Sequence, residues 1–328
     1  MKAIVCTKYG LSALQLKEIE KPIPKDHQLL IKVHAASVNS MDWHLITGKP
    51  FLVRLMGMGF FKPKDPRTGA DLAGVVEAVG NGVTQFKPGD EVFGRGDGAF
   101  AEYALVGEKN LALKPASLRF EVAATVPVAG VTALQALRDK GGIQSGQKVL
   151  INGAGGGVGT FAVQIAKALG AEVTAVCGTR HVDMIRSLGA DHAIDYTRED
   201  FTKNGERYDL IVAVNGYHSI FDYGRALNPK GVFVMIGSSN AHMVWALMQT
   251  ALFGSLISRR GERKVVLMSA TINHEDLVFL RSLIEAGKVT PVIDRTYPLN
   301  EVSEAIRYMD AGHVGGKIVI TVVLGDKV

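Results

Sequence analysis

Cysteine is nearly absent: the 328 residues include only Cys6 and Cys177. Two cysteines cannot build a disulfide framework or a cysteine-rich structural zinc site. Charge is modest, with 21% Asp, Glu, Lys and Arg, and the apolar share is 47%, which excludes a disordered chain. Long uninterrupted apolar runs are missing too. The nearest approach, AHMVWALMQTALFGSLIS at 241–258, is broken by His242, Gln249, Thr250, Gly254 and Ser255. A spanning helix needs ~20 mostly apolar residues. Met243, Leu247, Ala251 and Gly254 recur there at helical spacing, which predicts a buried or interface helix and no membrane association. The opening MKAIVCTKYG has four apolar residues and then polar ones, which reads as no secretory leader and a reducing, cytoplasmic location. Lys and Arg number 37 against 32 Asp and Glu, and they are scattered apart from Arg259, Arg260, Arg263 and Lys264. That pattern describes a solvated surface and makes nucleic acid an unexpected partner. The sharper alternative is a field that draws in phosphates.

What is present divides the chain in two, as its length suggests at roughly 150 residues per domain. Up to about residue 115 it reads as short strands separated by turns: 29–38, 71–80, 91–94 and 100–106, with Lys87-Pro88-Gly89-Asp90 as one turn. Such strand density predicts a small barrel or sandwich. From about 120 the period becomes helical. Strands at 148–153, 171–178, 191–196, 208–216, 231–237 and 264–270 alternate with helices such as 159–170 and 181–189. That alternation is the signature of a parallel, doubly wound α/β sheet. A helix follows 272, and the last strand, 317–323, is expected to return to the first domain. The expected division is 1–122 with 270–328, and 123–269.

The most informative segment is Asn152-Gly153-Ala154-Gly155-Gly156-Gly157-Val158-Gly159. It follows a predicted strand and opens a predicted helix, the context a dinucleotide fingerprint requires. Aligned as Ala154-x-Gly156-x-x-Gly159, it offers a small residue for the tight turn, a backbone that can approach the pyrophosphate, and close helix–strand packing. The helix N-terminus then faces the phosphates with free N–H groups, those of Gly157 and Val158 among them. About 20 residues on, a site for NAD places an acid on the ribose. Here the strand runs out through Cys177-Gly178-Thr179-Arg180 with no carboxylate. A 2′-phosphate gains a hydroxyl and a guanidinium there, which points to NADP(H) held by Thr179 and Arg180. The alternative is a solvated Arg180 at a helix start.

These residues, with Val38-Asn39-x-x-Asp42, Gly69-Ala70-Asp71-Leu72-Ala73-Gly74, Pro88-Gly89-Asp90-Glu91-Val92, Gly98-Ala99-Phe100-Ala101-Glu102-Tyr103, Pro127-Val128-Ala129-Gly130 and Gly316-Lys317-Ile318-Val319, make the chain resemble a medium-chain dehydrogenase/reductase. It is most similar to the zinc-independent quinone oxidoreductase branch, the zeta-crystallin type. The resemblance implies a GroES-like β-rich catalytic domain, a Rossmann domain and a cleft between them for nicotinamide and substrate. Zinc alcohol dehydrogenases of the family need a Cys and a His where this chain has Asn39-Ser40 and Ala70. The expectation is therefore no metal.

The remaining candidates rest on position. Asn39 and Asp42 fall where the family's first-domain loop faces the cleft, so both are catalytic candidates. Equally, Asn39 can cap a helix that Asp42 supports from its first turn. Tyr196 ends the third strand, where the resemblance brings a Tyr near the adenosine 2′-phosphate. Asn215 and Tyr217 follow the fourth strand, and Gly237 and Ser238 close the fifth, at the strand ends where such sheets bind ligands. Tyr217 is a candidate proton donor. The expected function is NADPH-dependent reduction of quinones or α,β-unsaturated carbonyls, on a small electrophilic substrate, by a homodimer. The alternatives are an NADPH-binding regulatory or RNA-binding protein with little activity, and a zinc-free NADP-dependent dehydrogenase of a specific metabolite.

Overall fold

The computed structural model describes residues 1–51, 54–55, 59–216, 218–238, 242–259 and 263–322, with backbone alone for 255–259. The chain forms two compact units: Met1–Ala129 with Ile272–Glu285 and Pro291–Val328, and Gly130–Thr271 with Ala286–Thr290.

The first unit holds β1 (Lys2–Cys6), β2 (Leu14–Glu18), β3 (Gln28–Val38), α1 (Ser40–Thr47), β4 (Asp71–Val79), β5 (Glu91–Arg95), β6 (Tyr103–Gly107), β7 (Leu111–Leu113) and α2 (Phe120–Ala123). The eleven-residue β3 organises it. One edge pairs with β4 throughout, and the other is shared between β6 at Gln28–Lys32 and a returning C-terminal strand at Ala35–Val38. Leu29, Ile31 and Val33 face a core that also takes Leu72, Val92, Phe100 and Trp43. The predicted alternation holds in exposure only around Lys32–His34; Leu29–Ile31 and Ala35–Val38 are buried on both faces.

The second unit is the parallel sheet. After α3 (Pro127–Gln135) come β8 (Lys148–Asn152), α4 (Gly157–Ala168), β9 (Glu172–Cys177), α5 (Val182–Ser187), β10 (His192–Asp195), β11 (Tyr208–Ala213), α6 (Ile220–Ala226), β12 (Leu227–Met235), α7 (Met243–Arg259) and β13 (Lys264–Leu267). Their order is β10-β9-β8-β11-β12-β13, with every pairing parallel. The chain reverses direction across the sheet between β8 and β11, and ligands of such sheets bind at the strand ends beside that switch point. The chain then re-enters the first unit through α8 (His274–Glu285), β14 (Ile293–Pro298), α9 (Val302–Asp310) and β15 (Lys317–Thr321), which lies between β14 and β3. The expected return of the last strand is what the structure shows.

The helix at 241–258 forms as α7, and its inner face overlaps the predicted stripe in part, since Leu247 packs on the core. Ala246, Gln249, Thr250 and Gly254 are buried, whereas Ala251 is exposed. Thr250 satisfies its hydroxyl on the Ala246 carbonyl at 2.8 Å, so a polar residue sits inside at little cost. A Cβ on Gly254 would come within 3.0 Å of Val265 Cγ1, which shows how closely the helix approaches β13. Trp245 and Leu252 are left 53% and 64% exposed.

Candidate functional site

In the second unit the glycine turn joins β8 to α4, with Gly156 capping the helix. A Cβ on Gly159 would meet Gly153 O at 2.3 Å, so only glycine lets the helix sit this close to the turn. A Cβ on Gly156 would find nothing nearer than Gly153 O at 3.9 Å. The space over it is open, next to first-turn N–H groups that have no acceptor within the helix. Ala154 is buried, with its N–H on the Val176 carbonyl, which ties the turn to β9. Gly153 was outside the aligned fingerprint but is equally constrained. It has φ of +91°, and a Cβ there would come within 2.6 Å of Asn215 N. These residues fit a dinucleotide phosphate.

At the ribose end, Thr179 and Arg180 are exposed in a turn that follows β9. Tyr196 is 64% exposed, and its hydroxyl lies 3.4 Å from where a Cβ on Gly178 would be. The exit from β9 itself, Cys177-Gly178-Thr179-Arg180, carries no carboxylate. The structure supplies one from the neighbouring strand. Asp195 ends β10 in register with Cys177, and its Oδ2 accepts from Thr179 Oγ1 at 2.7 Å. Its Oδ1 accepts from Thr197 Oγ1 at 2.8 Å and Thr197 N at 3.0 Å. The Thr179 hydroxyl, with Thr197 in support, holds the Asp195 carboxyl below its ordinary value. The Asp-Tyr-Thr run closing this strand was the available signal. Cys177 is buried, and burial pushes its thiol up to about 11, which makes it an inert core residue.

On the other side of the switch point, the ends of β11 and β12 bring Asn215, Gly237 and Ser238 together. Ser238 Oγ donates to Gly216 O at 3.0 Å, and the Asn215 N–H reaches the Asn152 carbonyl at 3.2 Å. A Cβ on Gly237 would lie 2.9 Å from Val214 O. Tyr217, the candidate proton donor, lies outside the described residues.

In the first unit the structure sets Asn39 and Asp42, the two catalytic candidates, in a polar cluster around Asp71 and Lys317. Both are buried, at 7% and 2% exposure. Asp42 Oδ2 accepts from Asn39 N at 2.8 Å, the helix-start role weighed as the alternative. Asn39 Nδ2 donates to Asp71 Oδ2 at 2.9 Å, and Asn39 Oδ1 accepts from Lys317 Nζ at 2.5 Å. Lys317, from β15, also reaches the Val38 carbonyl at 3.0 Å and Asp71 Oδ2 at 3.3 Å. Asp71 is completed by Ser37 Oγ and by Val128 N, each at 2.9 Å. Burial, opposed by the Asn39 N–H, pushes Asp42 up to about 7, and its Oδ1 is buried without a hydrogen-bond partner among the described residues. Burial likewise draws the Lys317 ammonium down, against the pull of Asp71 and Asp42.

This cluster does not fit zinc. Its oxygen groups are the Asn39 amide, already accepting from an ammonium, the Asp71 carboxylate, met by four donors, and the Asp42 carboxyl, with one oxygen unpartnered among the described residues. One such oxygen is too few for a zinc site, and the Lys317 ammonium repels a second cation. No group of three or more His, Cys, Asp or Glu among the described residues could hold a metal ion.

A parallel doubly wound sheet with a glycine-lined turn at its switch point, on a chain with a separate β-rich unit, defines a dinucleotide-dependent oxidoreductase. Residues 25–116 match the alcohol dehydrogenase GroES-like domain family, and residues 188–320 the zinc-binding dehydrogenase family. The chain is similar to the chloroplast envelope quinone oxidoreductase homolog of Arabidopsis thaliana, 34% identical over 98% of each chain. It is similar to the chloroplastic NADPH-dependent alkenal/one oxidoreductase of the same plant, 34% identical over 98% of this chain and 79% of that one. Among solved structures, the quinone oxidoreductase from Coxiella burnetii superposes with a TM-score of 0.83 at 29% identity, covering 98% and 99% of the two chains. The chain belongs to the medium-chain dehydrogenase/reductase family, in its quinone oxidoreductase branch.

Proposed function

We propose that this chain is an NADPH-dependent reductase of quinones or α,β-unsaturated carbonyls that works without zinc. The observation that carries the reading is the glycine turn between β8 and α4, whose open face over Gly156 meets the helix N-terminus. Ala154, Gly156, Gly157, Val158 and Gly159 hold the pyrophosphate, Arg180 and Tyr196 reach the 2′-phosphate, and Asn215, Gly237 and Ser238 border the nicotinamide. NADPH, when bound, supplies the hydride. Thr179 belongs to the same ribose loop. The zinc-free assignment is supported by Asn39-Ser40 and Ala70 standing where the resemblance expects a Cys and a His, and by the Lys317 ammonium beside them, held by Asn39 and Asp71. An electrophilic quinone or enone needs no Lewis acid of the kind an alkoxide does. With Asn39 and Asp42 committed to that buried cluster, we assign the accompanying proton to solvent.

Two copies pair, on this reading, through β13, the sheet's edge strand, and the outward apolar face of α7 at Trp245, Met248 and Leu252. Sedimentation as a monomer removes that part. The two free, buried cysteines suit a reducing, cytoplasmic compartment.

The test is oxidation of NADPH and NADH in parallel, with an ortho-quinone and an enone as acceptors and a chelator in one arm. Chelator-resistant turnover with either acceptor, faster with NADPH, is expected. Chelator-sensitive turnover overturns the zinc-free part. Failure with both acceptors despite NADPH binding overturns the substrate class.

A further inference from the structure

The ribose end of the cofactor site holds a carboxylate that the proposed function does not use. We infer that Asp195 is a specificity-determining residue: it commits the Thr179 hydroxyl and so admits a free ribose 2′-hydroxyl, giving this chain use of NADH beside NADPH. The inference rests on the cofactor reading above and deepens it.

The argument is a count of hydrogens. A threonine hydroxyl has one hydrogen to donate and two lone pairs, and an ionised carboxylate only accepts. Thr179 Oγ1 spends its hydrogen on Asp195 Oδ2 at 2.7 Å, and Thr197 Oγ1 spends its own on Asp195 Oδ1 at 2.8 Å. The two hydroxyl oxygens stand 3.2 Å apart, and because an ionised carboxylate can only accept, pairing both hydroxyls with Asp195 directs both hydrogens to it. What the side chains of this row offer a ligand is therefore lone pairs and one negative charge. A phosphate ester brings only acceptors and negative charge of its own, so these three side chains oppose it. A ribose hydroxyl has a hydrogen to give and is welcomed by the same oxygens.

Arg180 acts in the other direction. It is exposed beside Thr179, and a guanidinium is the side chain best matched to a phosphate. The preference for one nucleotide over the other is thus a difference between two opposed groups at neighbouring strand ends. The register of Asp195 with Cys177, two residues before Thr179, fixes that opposition in the sheet. Asp195 touches the cofactor through Thr179 and is a positioning residue.

The experiment is titration of the purified full chain with NADPH and with NADH, read by nicotinamide fluorescence, for the native protein, Asp195→Asn and Thr179→Val. Native protein is expected to bind both, with Kd values within about tenfold of one another, the size of one charge-assisted hydrogen bond. Asp195→Asn removes the charge and frees a hydroxyl hydrogen, so the NADPH-over-NADH affinity ratio should rise about tenfold. Thr179→Val deletes the acceptor and should weaken NADH more than NADPH. It also carries the test if Asp195→Asn does not fold. An unchanged ratio in a folded Asp195→Asn protein overturns the inference, as does an equal loss of both nucleotides, which marks Asp195 as a loop brace alone. Native protein that binds neither nucleotide overturns the underlying cofactor reading instead.

Discussion

Each unit of this protein builds a small polar cluster around one carboxylate, and the two are handled in opposite ways. Asp71 is 0% exposed and is met by an ammonium, an amide, a hydroxyl and a backbone N–H. Asp195 sits at the rim of the parallel sheet and is met by two hydroxyls and one backbone N–H. A buried charge has lost water and must find a counter-charge within the fold. A rim charge keeps its water, needs only neutral donors, and remains available to discriminate between ligands. Burial makes the first carboxylate a commitment of folding, and exposure makes the second a choice in binding.

The largest effect that would break this comparison is removal of the buried counter-charge. Lys317→Met leaves Asp71 facing Asn39 and Ser37 without a cation, and loss of one partner of a buried pair costs about 3–5 kcal/mol. Urea unfolding measures it. The Asp71→Asn/Lys317→Met double variant should recover part of the loss, because the uncompensated charge is what destabilises. A single variant within about 1 kcal/mol of the native protein would show that Lys317 is not the counter-ion.

Asp42 gives the next effect, and it runs against the usual direction for a carboxyl. Its folded value is about 7 against an ordinary 3.8. Asp71 raises it further, while Lys317 and Arg95 oppose the rise. Between pH 4 and 7 the folded protein therefore keeps a proton that the unfolded chain has released. Stability from this group is fully present at pH 4 and is lost as pH rises to 7, by up to about 4 kcal/mol. Asp42→Asn still accepts from Asn39 N through its amide oxygen. Its stability relative to the native protein should climb across that window and level off above it. A flat difference between pH 4 and 8 contradicts the assignment.

In the parallel sheet the comparable test is steric. Gly159→Ala drives a Cβ to 2.3 Å from Gly153 O, so the turn must open or α4 must shift. Overpacking of this kind costs about 1–3 kcal/mol, and NADPH affinity should fall with it. Gly156→Ala should keep its stability, since its Cβ enters open space, and should lose nucleotide binding alone. Thermal melts and nicotinamide fluorescence on the pair separate the two roles.

The glycine turn was legible in the sequence because everything it needs is local: a strand, a tight turn and a helix within about twenty residues. The parallel, doubly wound character of the sheet was legible for a related reason, since helices separate most of its successive strands. What escaped is what long-range pairing assembles. Lys317 and Asp71 are 246 positions apart, and they meet because β3 pairs antiparallel with β15 on one side and with β4 on the other. Asp195 reaches Thr179 only because β10 lies beside β9. Helical spacing announced α7 but misplaced part of its inner face, because Thr250 can be buried once its hydroxyl meets the Ala246 carbonyl. Asn39 and Asp42 lie in a motif with two physical meanings, and their burial with Lys317 and Asp71 depends on strands too distant in sequence to be read from it.

The smallest expected effect sharpens the comparison at the rim. Arg180→Ala removes the group that favours a 2′-phosphate and leaves Asp195 with Thr179 unopposed. NADPH affinity should drop about tenfold while NADH affinity stays within twofold, the size of one exposed charge-assisted contact. Because the contact lies in water, the native preference should shrink as salt is raised, whereas the Arg180→Ala ratio should barely respond. The Arg180→Ala/Asp195→Asn double variant then decides whether the two groups oppose each other at one ligand atom. If they do, its NADPH-over-NADH ratio departs from the product of the two single changes, and if they act separately the changes multiply. A native preference that Arg180→Ala leaves untouched would place the 2′-phosphate away from this loop and take the rim carboxylate out of the argument with it.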